Sequence, residues 1–78
     1  QDIRVNAVSP GPIATPILDK VFPDKNVAAR VREKTVDMIP MKRFGTSEEI
    51  AKAVLFLAFD ATFTTGLEIP VDGGWSQL

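Results

Sequence analysis

The residues whose types and spacing point to chemistry are Ser9-Pro10-Gly11-Pro12-Ile13-Ala14-Thr15-Pro16. Three prolines and a glycine in eight residues make this loop stiff. The prolines also decide which backbone groups are free. Pro10, Pro12 and Pro16 have no N–H, while Ile13, Ala14 and Thr15 each keep one. Ile13 can therefore present both a donor and an acceptor to a flat carboxamide, and Thr15 adds a hydroxyl. The same residues also describe a tight turn that ends a strand, and spacing alone favours that reading.

The elements that must position this loop follow from pattern. Ile3 to Val8 reads as a strand, with Ile3, Val5 and Ala7 alternating with Arg4 and Asn6. Arg4 is placed near the strand entrance, in water. Asn6 is read as tying neighbouring loops together, because a buried Asn needs partners for several hydrogen bonds. Loops at the carboxyl ends of parallel strands are where open α/β sheets bind ligands. After the loop, Ile17, Leu18, Val21 and Phe22 are apolar, and Pro23-Asp24-Lys25-Asn26 interrupts them. Asp24 or Asn26 caps a helix running to about Asp37, with Val27, Val31, Thr35 and Met38 as its inner stripe. Pro40 ends that helix. An ion pair from Arg43 to Glu48 or Glu49 is favoured over a substrate contact. Thr46-Ser47-Glu48-Glu49 spells a capping box, opening a helix from Ser47 to about Phe59. Gly66 opens a last strand in which Leu67, Ile69 and Val71 share a face. Pro70 inside it cannot donate to a ladder, which makes this an edge strand. Asp72-Gly73-Gly74 is a turn, and Trp75 either covers the pocket end or a neighbouring subunit or is packing filler.

The chain has 78 residues, 45% hydrophobic and 24% charged, with net charge -1. That balance gives no basic excess for nucleic acid, and no apolar run is long enough to span a membrane. There is no Cys, and so no disulfide framework or thiolate chemistry. There is also no His and no Tyr.

Three blocks carry a family resemblance, in the family's order. Asn6-Ala7-Val8-Ser9-Pro10-Gly11 with Thr15 resembles the Pro-Gly segment of the short-chain dehydrogenase/reductase family. Pro40 to Ala51 resembles the segment that opens that family's last large helix. Thr65 to Gly74 resembles its last strand and C-terminal turn. Ser47 stands where the family often has Pro, and either residue suits a first helical turn. The resemblance implies an α/β fold: the C-terminal part of a Rossmann-type, doubly wound parallel sheet, with residues 1–78 one segment of a single NAD(P)-binding domain. It implies a cytoplasmic oxidoreductase that uses NAD or NADP to move a hydride to or from an alcohol or ketone substrate. On this reading Pro10, Gly11, Ile13 and Thr15 bind the nicotinamide end of the cofactor. Ile17, Leu18, Val21, Phe22, Met38 and Met41 form the substrate wall, on helices that act as a lid.

The family's Tyr-x-x-x-Lys motif and glycine-rich phosphate turn are not in this sequence. The chain starts at Gln1, and its methionines are Met38 and Met41. It therefore reads as a fragment of a longer enzyme, without catalytic residues of its own. Two strands joined by a long helical crossover are expected to be parallel, and parallel sheets need both faces covered. An alternative from another class is a non-catalytic oligomerisation piece of a degenerate or split family member.

The helix from Ser47 speaks without the family. On a helical wheel Ile50, Ala53, Val54, Leu57 and Ala58 form a core face. The opposite side holds Glu48 and Lys52, then Leu55, Phe56 and Phe59. A surface helix should be polar there. The pattern predicts a two-fold contact between copies through Leu55, Phe56, Phe59 and the last strand, which the family resemblance implies is that of a homodimer or homotetramer.

Overall fold

A computed structural model of the protein describes residues 3–77. Two strands, β1 (Ala7–Pro10) and β2 (Glu68–Val71), pair in parallel with Ala7 opposite Glu68 and Pro10 opposite Val71. Between them the chain forms α1 (Ile17–Val21), α2 (Lys25–Met38) and α3 (Ser47–Leu55). α3 lies against both strands, and α1 packs on α2. The α/β architecture with two parallel strands agrees with the sequence reading.

Several local readings hold in detail. Asp24 caps α2, its carboxylate accepting from Asn26 N at 2.9 Å. Thr46 and Glu49 form the capping box, each side chain accepting from the other residue's backbone N–H. Asn6 ties two loop residues, donating to Thr64 O at 3.1 Å and accepting from Leu67 N at 2.9 Å. Pro70 sits in β2 opposite Ser9. The carbonyls of Leu67 and Val71 point at β1, where they accept from Ala7 N and Gly11 N. By alternation the side of Pro70 that lacks an N–H points away from the ladder.

Other expectations are corrected. The first strand begins at Ala7, not Ile3, and runs on to Pro10. Opposite its expected first half lies the irregular segment 61–66, which offers no ladder. Val5 instead bonds the Thr65 hydroxyl and accepts from Gly66 N. Regular α-helix in α3 stops at Leu55 and continues as a wide π-helical turn over Phe56–Asp60, closed by Ala61 N to Phe56 O at 2.8 Å. Arg4 is not simply in water. Its guanidinium reaches that turn and donates to the carbonyls of Leu57 (2.7 Å), Ala58 (2.8 Å), Ala61 (2.8 Å) and Thr64 (3.4 Å). A helix C-terminus leaves carbonyls without partners and carries partial negative charge, so a cation satisfies both.

The inner face of α2 is rotated from the expected stripe. Ala28 and Ile39, each 1% exposed, are buried, whereas Val27 and Met38 are exposed. Val31 and Thr35 of the expected stripe are half-buried, and Arg32 joins them on the turned face. In α3 the expected core face is only partly covered: Leu57 is buried, Ile50 and Ala53 are half-buried, and Val54 and Ala58 are exposed. The chain is extended for its size. Its radius of gyration is 15.5 Å, against about 11.5 Å for a compact domain of this length.

Candidate active site

The loop between β1 and α1 is fixed on two sides. Gly11 N donates to Val71 O at 3.1 Å, and a Cβ added at Gly11 would stand 2.5 Å from Asp72 Cβ. Only glycine allows that approach. On the other side Ile13 forms a parallel bridge with Gly45: Gly45 N donates to Pro12 O at 3.0 Å, and Ala14 N donates to Gly45 O at 2.9 Å. The bridge engages the amide of Ala14. By alternation it turns the N–H and C=O of Ile13 to the opposite side, where neither has a partner among the described residues. The hydroxyl of Thr15 is likewise exposed and unpartnered among them.

These groups border an open hollow of about 650 Å³. Ile13 and Thr15 line it together with Ile17 and Leu18 of α1, so four of the ten residues singled out in the sequence meet there. Met41 lies on a separate hollow of about 330 Å³ with Arg43, Gly45 and Asp72. Pro10 and Gly11 border a third, beside Trp75. Val21, Phe22 and Met38 line none of these. Val21 and Met38 are exposed, and Phe22 is half-buried.

Sequence reasoning missed Arg32, Thr35 as a pocket wall, and Phe44, all of which line the main hollow. Arg32 pairs with Asp19 of α1 at 3.1 Å and so links α1 to α2. The available signal was its spacing, four residues after Ala28 and three before Thr35, on the face that turns inward. Thr35 gives its hydroxyl to Val31 O at 2.8 Å.

The charged groups around the loop hold backbone in place. Arg43 pairs with both oxygens of Glu49 at 2.9 Å. That bond, then the Thr46 amide, holds the Glu49 carboxyl down to about 2. Glu48 pairs with Lys52 at 3.5 Å along α3. Donors from Ser76, and the Gly74 amide after them, hold Asp72 below the usual carboxylate range. Among the described residues no cluster of acidic side chains is arranged to hold a metal ion.

Comparison with known proteins decides the family. The family model described as enoyl-(acyl carrier protein) reductase matches residues 1–76. The chain belongs to the short-chain dehydrogenase/reductase family. It is 47% identical over 75 residues to 3-oxoacyl-(acyl-carrier-protein) reductase FabG of Thermotoga maritima, covering 95% of this chain and 28% of the relative. It is 42% identical over 78 residues to L-xylulose reductase of Caenorhabditis elegans, covering 99% of this chain and 30% of the relative. Among solved structures, ligand-free aldohexose dehydrogenase of Thermoplasma acidophilum superposes with a TM-score of 0.85 at 38% identity, covering 96% of this chain and 32% of that one. A short-chain dehydrogenase/reductase fold in this segment is thus established, and the chain spans less than a third of the length of these relatives. A putative 2-deoxy-d-gluconate 3-dehydrogenase from Agrobacterium tumefaciens, solved with bound NADP, matches at 35% identity and TM-score 0.73, covering 97% of this chain and 30% of that one. No helix among the described residues is long and apolar enough to cross a membrane.

Proposed function

We propose that the protein carrying this chain is an NAD(P)-dependent oxidoreductase acting on an alcohol or ketone carbon of a small molecule. The observation that carries this reading is the unpartnered N–H and C=O of Ile13 beside the Thr15 hydroxyl. A primary carboxamide presents a donor and an acceptor in one plane, and the backbone of a single residue matches both. The donor set therefore fits the nicotinamide carboxamide. Ile13 and Thr15 hold it, while Pro10 and Gly11 shape the loop. When bound, the nicotinamide supplies or accepts the hydride. Ile17 and Leu18 form the near wall for substrate. With no Tyr and no His in this sequence, the proton step belongs to a Tyr-x-x-x-Lys motif elsewhere in the protein.

The test is titration of NAD(H) and NADP(H) against the intact protein and its Thr15→Val variant. Losing this neutral hydrogen bond should weaken binding by about 0.5–1.5 kcal/mol while leaving thermal stability unchanged. Unchanged affinity for both cofactors removes Thr15 from the site.

The same reading includes a two-fold contact between copies. Leu55 is exposed, Phe56 is 49% exposed and Phe59 is 73% exposed, all on α3 and its π-helical turn. An apolar patch of this kind marks an interaction surface, and isologous contacts are the commonest kind. Phe56→Glu should lower the mass measured by light scattering, because each copy of the contact then buries an unpaired carboxylate at a cost of several kcal/mol. Unchanged mass with full stability places the contact elsewhere.

A further inference from the structure

The carbonyl end of β2 leads into Asp72-Gly73-Gly74, and this turn touches both the loop that carries Ile13 and the root of the α1–α2 cover. On the cover side, Met41 N donates to Gly73 O at 3.0 Å. Gly73 and Gly74 have φ of +61° and +94°, a region that disfavours side chains. A Cβ at Gly74 would stand 2.8 Å from Pro40 Cβ and 2.9 Å from Pro40 Cγ, and one at Gly73 would stand 3.0 Å from Ile39 Cγ2. Ile39 is itself the largest fully buried side chain. On the loop side, Gly11 lies directly against Asp72. The Asp72 carboxylate fixes the turn between them, accepting from Gly74 N and Ser76 N, each at 3.0 Å.

We infer that the Asp72–Gly74 turn is a positioning element that sets the spacing between the cover and the Ile13 loop, and through it the affinity for substrate. Neither glycine touches the main hollow; both act through Ile39 and Pro40. The end of α2 is seated on backbone with no room for a methyl group, so its position follows the turn. The effect on substrate rests on the oxidoreductase reading above. The coupling of the turn to the end of α2 does not.

Gly66 supplies the control. It too has positive φ, +73°, but a Cβ there meets nothing within 4 Å. Gly66→Ala and Gly74→Ala both strain the backbone, and only Gly74→Ala pushes on the cover. Both are made in the intact protein. The first readout is the rate of tryptic cleavage after Lys20 and Lys25, each variant held equally far below its own Tm. The second is KM against kcat for the carbonyl or alcohol substrate, with cofactor Kd measured separately. Gly74→Ala should speed cleavage in the cover and raise KM by up to about a hundredfold, the scale on which a displacement of about 1 Å in a positioned group acts, with cofactor Kd near wild type. Gly66→Ala should do neither. Like behaviour of the two variants overturns the inference. Should Gly74→Ala not fold, Asp72→Asn removes one of the two carboxylate bonds and must show the same shifts in smaller size, or the inference fails. If the wild type binds neither NAD(H) nor NADP(H), the oxidoreductase reading falls, and the cleavage rates still decide the role of the turn.

Discussion

The two ends of the strand pair are built in opposite ways. At the end where β1 begins, side chains satisfy backbone. Arg4 takes four carbonyls around the π-helical turn, and Asn6 bridges Thr64 and Leu67. At the end where β1 leaves, glycines allow close approach, Gly11 to the backbone of Asp72 and Gly45, Gly73 and Gly74 to the side chains of Ile13, Ile39 and Pro40. The polar groups of Ile13 and Thr15 there have no partner among the described residues. The first end closes its hydrogen bonds on itself, whereas the second leaves several polar groups open, as the proposed cofactor site requires. The difference follows the general rule that open α/β sheets bind at the carboxyl ends of their strands.

This contrast can be broken most strongly at Arg4. Arg4→Ala in the intact protein should lower stability by about 3 kcal/mol or more, because hydrogen bonds to a charged group are among the strongest and several carbonyls lose one together. Denaturant unfolding measures this. Cofactor affinity of the folded protein should not move, since the damage lies at the far end. A matching loss of affinity would show that the two ends are not separate.

Gly11→Ala is the counterpart at the other end. Its Cβ meets Asp72 and overpacks the joint, which should cost about 1–3 kcal/mol. Here stability and cofactor affinity should fall together. Stability lost with affinity intact would make this end a packing joint only.

The smallest effect is expected at Glu49, which with Arg43 supports the joint from outside. Its carboxyl is held at about 2 against an ordinary value of 4.5, chiefly by Arg43. Between those two pH values the unfolded chain holds a proton that the folded chain does not. Stability from this group is complete above pH 4.5 and is lost as pH falls through about 2. The Tm difference between wild type and Glu49→Gln should therefore shrink steadily across that window. A difference independent of pH would mean that the Arg43–Glu49 pair contributes nothing through charge.

What the sequence disclosed follows the reach of each signal. Asp24 and the Thr46–Glu49 box act within three residues, and both were legible. The stiffness of Pro10 to Pro16 was legible because proline acts locally. The prolines leave the N–H groups of Ile13, Ala14 and Thr15 alike, however, and it is the distant bridge to Gly45 that engages Ala14 and leaves Ile13 open. The partners of Arg4 lie 53 to 60 positions away, so nothing beside it revealed them. The start of β1 was misplaced for the same reason: alternation from Ile3 was present, but a ladder needs a partner, and segment 61–66 is irregular. The inner face of α2 was misread because Val27 and Met38 look more apolar than Ala28 and Arg32. Small size at Ala28 and the pairing of Arg32 with Asp19 decided the rotation instead.

Asn6 bonds Thr64, 58 positions along the chain, so the strand pair closes a long loop that contains the whole cover. The entropy of closing such a loop grows only with the logarithm of its length, and a doubling adds about 0.6 kcal/mol. Residues inserted at Pro23-Asp24, between α1 and α2, would leave the register of Ala7 on Glu68 and the grip on Pro40 untouched. The α1–α2 segment is thus the part of this fold that can be lengthened or recast while the strand pair stays as it is, and divergence there should show as changes in length as well as in residue type.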